Sequence, residues 1–232
     1  MLITIDGPAG SGKSAVALQL AIRLGYRHLD TGAMYRAVAL DALERQLATD
    51  PHAVARRVRE LRLEFDWLTR PARVLLDGRD VSHAIRAPHV TAALAISADN
   101  VAVREELVLR QRRIGEASGH LVSEGRDQGT VVFPAAPYKF YLDADPAERA
   151  RRRVHQLALQ GVSADVEVTL LQIRERDARD AARRVGPLAR PKDARLIDTT
   201  ALDLEQVVAL LAQIVQPAAG ACVSTAGAGA GL

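Results

Sequence analysis

Short, unbroken apolar runs alternate with stretches of helical period along most of this 232-residue chain. LITID (Leu2–Asp6) runs straight into glycine, which suits a strand covered on both faces. Ser14–Leu24 repeats its apolar residues at helical spacing and stops at Gly25, a helix-end signal. RHLD (Arg27–Asp30) predicts a second strand and Gly32–Leu47 a second helix. HLVSEGRD (His120–Asp127) predicts a third strand running into a loop. KFYLDAD (Lys139–Asp145) is a fourth, and ARLIDTT (Ala194–Thr200) a fifth, followed by a helix over Leu204–Val215. Strands alternating with helices predict an α/β fold, a doubly wound five-stranded parallel sheet.

Two segments break the alternation. FDWLTRPARVLLDGRDVSHAIR (Phe65–Arg86) has strand-like pieces around turn residues and reads as an insert. Val166–Arg184 reads as one long charged helix. PAAGACVSTAGAGAGL (217–232) is low in complexity, so disorder is expected there. The expected organisation is a single domain over 1–216, with an insert at about 60–95 and a helical lid at about 160–187.

Composition narrows the picture. At 48% apolar the chain can bury a sizeable core, and with 3% aromatics that core must be aliphatic. No apolar run approaches the roughly 20 residues of a membrane helix. The first strand begins at Leu2, which leaves no room for a signal or transit peptide, so a cytoplasmic protein is expected. Cys222 stands alone, which excludes an internal disulfide. The formal charge is +3, but lysine appears only at 13, 139 and 192, and arginine supplies the rest of the 31 basic residues among 28 acidic ones. No basic block carries a nucleic-acid motif, so nucleic acid is not an expected partner. Arginine at this density fits planar oxyanions, phosphate or carboxylate, as well as plain solvated faces.

GPAGSGKS fits G-x-x-x-x-G-K-[ST] through Gly7, Gly12, Lys13 and Ser14, between a predicted strand and a predicted helix. Glycines let the backbone curl around an anion and turn several N–H groups inward. The following helix points its positive end at the same place. Lys13 offers a mobile charge for the outer phosphates and Ser14 a hydroxyl ligand for Mg²⁺. The loop therefore reads as a nucleoside triphosphate site (a P-loop).

Other residues sort the reaction class. Guanine recognition wants Asn-Lys-x-Asp, but the sole asparagine, Asn100, is followed by Val101. A motor ATPase wants an apolar strand ending Asp-Glu; YLDAD (Tyr141–Asp145) lacks the glutamate. A small phosphotransferase remains. It needs a second anion site and a closing lid that excludes water. Arg176, Arg179 or Asp180, and Arg183 fall on one helical face, as they would in a phosphate-clamping lid and equally in a solvated salt-bridged helix. DTGAMYR puts Thr31, Tyr35 and Arg36 just past one strand's carboxyl end, and EGRDQGTVVFP puts Arg126 and Asp127 past another, where open α/β sheets bind ligands.

With these pieces assembled, the chain resembles the bacterial cytidylate kinases from Ile3 to about Gln216. The likeness rests on GPAGSGKS, LDTGAMYRAVAL, DVSHAIR, VREELVLRQR, EGRDQGTVVFP, YKFYLDADPAERARRR, RERDARD and IDTT. It implies a nucleoside-monophosphate kinase fold with a core, an NMP-binding insert and a lid. It implies transfer of the γ-phosphate of ATP to CMP or dCMP, with Mg²⁺, by a monomeric enzyme with no membrane partner. On the same resemblance Gly7, Pro8, Ala9, Gly10, Ser11, Gly12, Lys13 and Ser14 would bind ATP. Thr31, Tyr35 and Arg36 would frame the acceptor's phosphate and sugar. Arg104 would meet the cytosine edge and Asp127 its 4-amino group. Arg126 and Arg183 would clamp the acceptor phosphate, Asp180 would meet a sugar hydroxyl, and Arg176 and Arg179 would meet the transferring phosphate.

The base assignment makes chemical sense. Cytosine shows acceptors at O2 and N3, which suit arginine, and a donor at N4, which suits a carboxylate. Uracil reverses N3 and O4. Two departures from the family pattern stand out: Ala95 where a base-contacting serine is usual, with Ser97 two residues on, and Glu124 where aspartate is frequent. Rival readings are a kinase for another small acceptor, such as a different NMP or shikimate, and a module that holds ATP without transferring phosphate.

Overall fold

The computed structural model describes residues 1–159 and 161–219, with the side chains of 216–219 excepted. In chain order the elements are β1 (Leu2–Asp6), α1 (Lys13–Leu24), β2 (Arg27–Asp30), α2 (Thr31–Glu44), α3 (Pro51–Glu60), β3 (Leu63–Asp66), β4 (Arg73–Leu76) and β5 (Arg79–Asp80). There follow α4 (Pro88–Ala92), α5 (Ala95–Ala98), α6 (Val101–Ala117), β6 (Leu121–Glu124), β7 (Tyr138–Asp143), α7 (Pro146–Ala158), α8 (Val166–Ala181), β8 (Arg195–Asp198) and α9 (Leu204–Ala219). The main sheet is five-stranded, in the order β2-β6-β1-β7-β8, and every pairing in it is parallel. This is the doubly wound α/β architecture that the alternating pattern predicts.

The central strand explains itself. Ile3 through Asp6 of β1 are buried, as a strand paired on both edges and covered on both faces requires. One apolar cluster packs Ile3, Ile5, Val122 and Phe140 against Val16 and Leu20 of α1 and Leu211 of α9. A second gathers Leu29, Met34, Val38, Ile85 and Leu107 around α2 and α6. Gly25 ends α1 in the left-handed region, donating to Ala21 and Ile22 carbonyls, which is the stop its position signals. The segment that breaks the alternation forms its own antiparallel sheet, β3-β4-β5.

Some boundaries shift. α8 stops at Ala181, three residues short of the charged run's end, with Ala182 as its C-cap. The backbone of α9 continues past Pro217 to Ala219, and the rest of the expected tail, 220–232, lies outside the described residues. Among the described residues no helix is long and apolar enough to cross a membrane.

Register fixes where the chemistry sits. Ile5 pairs with Glu124, and Glu124 with Asp30, so β1, β6 and β2 finish together at one edge. The glycine loop, the N-terminus of α2 and the EGRDQG loop all leave from that edge.

Candidate active site

The glycine loop has the geometry its composition allows. Gly7, Gly10 and Gly12 have φ of 146°, 78° and 86°. At Gly7 a Cβ would stand 2.0 Å from the carbonyl oxygen of Leu142, so only hydrogen fits between the loop and β7. Gly12 is the N-cap of α1, and no side chain caps that end. The first-turn N–H groups of α1 are thus left for an anion. Lys13 Nζ donates to Pro8 O at 2.6 Å, folded into its own loop. Burial, with the neighbouring Arg126 guanidinium, pushes its amine well below the usual lysine range.

Ser14 Oγ donates to Glu124 Oε1 at 2.6 Å. Burial, and then the Asp30 carboxylate, push the Glu124 carboxyl up to about 7. An acid beside the P-loop hydroxyl is a functional element that the sequence places on no particular strand. Asp143, at the end of β7, instead accepts from Ala144 N in its own loop at 2.9 Å. Asp6, also buried, accepts from Gln128 N (2.8 Å) and Gly129 N (2.7 Å), and so anchors the EGRDQG loop to β1. Burial raises its carboxyl to about 6.

A cluster of cations faces Lys13. Arg176 of α8 has Arg126, Arg36 and Arg183 as charged neighbours, and burial together with Arg126 pulls its guanidinium down to about 10. Arg126 Nε donates to Asp180 Oδ2 at 2.9 Å, and Arg183 Nη2 lies 2.6 Å from Asp180 Oδ1. Arg183 Nε also donates to Asp99 (2.8 Å). Arg153 of α7, to which the sequence assigns no role, faces Arg36 as well. Asp180 is shared between Arg126 and Arg183, and Arg176 has no acid within ion-pair distance among the described residues, so the cluster keeps an excess of positive charge that anions stabilise. Arg179 does not join this group: it is exposed and lines a cleft with Arg104, Arg183, Arg184 and Asp99.

The other sequence-predicted residues are placed as follows. Arg104 Nη2 lies 2.5 Å from Asp127 Oδ2, and both side chains are buried. The Arg104 guanidinium sits over the Tyr35 ring at 5.2 Å. Tyr35 Oη is buried with no partner, and burial raises its hydroxyl to about 12. Thr31 Oγ1 donates to the Glu124 carbonyl at 2.7 Å, and Arg36 lies 3.8 Å from Asp30. Ser97 does not stand in for a serine at 95: its hydroxyl donates to the Tyr35 and Leu94 carbonyls, while Ala95 is exposed.

α8 and the chain after it touch both halves of this edge. Asp177 accepts from Ala9 N at 3.0 Å and from Arg149 Nη1 at 2.5 Å, tying α8 to the glycine loop and to α7. Beyond its C-terminus, Gly186 closes over the Arg104–Asp127 pair. A Cβ there would come within 2.1 Å of Asp127 Oδ2, and Arg104 Nη2 donates to its carbonyl. Asp177 lies within RERDARD and Arg149 within YKFYLDADPAERARRR, and Gly186 in no such segment; the role of each follows only from the long-range packing of α8 and the chain after it.

Comparison with known proteins agrees with this geometry. The family described as cytidylate kinase matches residues 3–217. A cytidylate kinase of Geobacter sp. (strain M21) is 43% identical over 217 residues, covering 93% of this chain and 93% of that protein. The cytidylate kinase of Bordetella bronchiseptica is 46% identical over 208 residues, covering 89% and 91%. In fold, the chain resembles the crystal structure of an uncharacterized protein from Eubacterium ventriosum, with a TM-score of 0.51 at 13% identity over 93% of this chain and 98% of that one. A match running from β1 into α9, with relatives aligned over almost their whole length, means that the chain belongs to the cytidylate kinase family.

Proposed function

We propose that the chain transfers the γ-phosphate of ATP to CMP or dCMP across the cation-lined edge of the sheet, with the glycine loop as donor site and the Arg104–Asp127 pair as acceptor-base site. The observation that carries this reading is the division of that edge. On one side stand bare main-chain amides and Lys13; on the other a buried arginine and a buried carboxylate; between them Arg36, Arg126, Arg176 and Arg183. Two phosphorylated ligands meeting end to end would satisfy all three parts.

In this reading the α1 N-terminus and Lys13 take the outer phosphates of ATP. Ser14 and Glu124 offer a hard oxygen pair, and no cluster of three ligating side chains occurs among the described residues. That set fits Mg²⁺, which prefers one or two protein oxygens plus substrate phosphates to a protein cage. Bound there, the ion would neutralise charge on the β- and γ-phosphates. Arg126 and Arg183, both held by Asp180, would clamp the acceptor phosphate, while Arg176 would meet charge on the transferring group; Arg179, exposed outside the cluster, would join it only on movement of the lid. Arg104 and Asp127 would part to take cytosine O2/N3 and N4. No general base is required, since a phosphate monoester is largely dianionic at neutral pH, and in-line transfer then rests on positioning and charge.

The β3–β5 insert is assigned to the acceptor side and the segment around α8, about 160–187, to the lid, because that segment reaches the glycine loop through Asp177 on α8 and the base pair through Gly186 beyond it. The chain is assigned to the cytoplasm as a monomer; every group invoked comes from one copy. An acceptor panel with MgATP tests the reading. ADP release should depend on CMP or dCMP and be far weaker with UMP, AMP, GMP or shikimate. Equal turnover with another acceptor, or none with CMP, would overturn it.

A further inference from the structure

Gln128 opens the single turn of π-helix Gln128–Val132 directly after Asp127, and it is wholly buried. Such turns recur at functional sites. Its side chain bonds in three directions. Oε1 accepts from Ser123 Oγ on β6 at 2.8 Å. Nε2 donates to Gln111 Oε1 on α6 at 3.1 Å and to Asp127 Oδ1 at 3.4 Å. Gln111 is also wholly buried, and it lies seven residues, two helical turns, beyond Arg104 on α6. Asp127 is thus held from two sides, with Oδ2 on Arg104 and Oδ1 on Gln128, and both holders refer back to one helix face.

The amide matters most when substrate binds. Resting on the acceptor-base reading above, Arg104 must leave Asp127 to reach cytosine O2 and N3. Asp127 then stays buried without its guanidinium, and the Gln128 amide is the side-chain donor left on it. The groups facing Asp127 are Arg104 on α6, Arg183 after α8, Tyr35 on α2 and Asp6 on β1. Burial pushes the Asp127 carboxyl up, and Arg104, Arg183 and Gln128 each draw it back. A carboxylate accepts from the cytosine amino group, whereas a protonated carboxyl donates to a carbonyl and would welcome uracil O4.

We infer that Gln128 is a specificity-setting positioning residue, fixed by Gln111 and Ser123, that keeps Asp127 an aimed hydrogen-bond acceptor once Arg104 turns to the base. Gln128→Met keeps length and volume and removes the amide. Its ratio of kcat/KM for CMP over UMP should fall on the order of tenfold at pH 7, as expected for loss of a bond to an ionised group. The variant's ratio should rise with pH more steeply than the unaltered enzyme's, because burial raises the Asp127 carboxyl and the lost amide no longer draws it back. KM for CMP should move more than kcat. A folded Gln128→Met enzyme with the unaltered ratio at every pH would overturn the inference.

If that variant does not fold, Gln111→Met, which frees Gln128 from α6, carries the same test with a smaller expected fall. Asp127→Ala, run in parallel, separates the two readings. An unchanged ratio there removes the base assignment itself. A changed ratio there, with an unchanged ratio in Gln128→Met, removes only the role of Gln128.

Discussion

Ser14, the last residue of the glycine loop, donates its hydroxyl to Glu124 at 2.6 Å across 110 positions of sequence. The contact exists because β6 pairs directly with β1 and ends in register with it, Ile5 opposite Glu124. A hydroxyl that would ligate a divalent cation is thus met by the carboxylate that would orient the cation's shell. Glu124→Gln keeps the shape and removes the charge. Activity, or apparent Mg²⁺ affinity in a titration with MgATP, should fall 10–100-fold. An unchanged Mg²⁺ titration would detach Glu124 from the donor site.

Lys13 is a buried cation whose nearest hydrogen-bond partner is a loop carbonyl. Lys13→Ala should lower kcat on the order of 10²–10³, as loss of one transition-state donor does. Its melting temperature should hold or rise, because burial already disfavours the charged amine. Steady-state kinetics beside a melting curve checks both, and near-normal turnover would contradict the assignment.

Asp6 gives a pH signature. Its carboxyl is raised from 3.8 to about 6 by burial. Between these values the folded protein holds a proton that the unfolded chain has released, so stability falls as pH rises from about 4 to about 6 and then levels. The single-site contribution is roughly 2–3 kcal/mol. Asp6→Asn should flatten that part of the denaturant-measured stability profile; parallel profiles for the two proteins would contradict it.

Gly7→Ala tests the packing of the loop. The new methyl would meet the Leu142 carbonyl at 2.0 Å, at a φ of 146° that side chains rarely adopt. A loss of about 2 kcal/mol or more is expected in chemical denaturation. A variant of unaltered stability would mean that the loop can pull away from β7.

Local signals were the readable ones. LITID, GPAGSGKS and the stop at Gly25 each carry their structural reason within a few residues, and the strands and first helices they predict are where they stand. The order β2-β6-β1-β7-β8 is not local: it depends on which strand crosses behind β1. That is why the contact between Ser14 and Glu124, 110 positions apart in sequence, is not visible in the local pattern. Helix α6 buries Arg104 and Gln111 beside Val103 and Leu107, which blurs its apolar period. Arg104 and Asp127 were nameable through the family resemblance, but their mutual contact, and Gly186 lying over it, follow from how the chain after α8 packs.

The most direct test is a crystal structure with CMP and a non-hydrolysable ATP analogue bound together. The account predicts the triphosphate on the α1 N-terminus, cytosine N4 within hydrogen-bond distance of Asp127, and O2 or N3 facing Arg104. Cytosine lying away from residues 104 and 127, or a cleft that admits only one nucleotide, would contradict it.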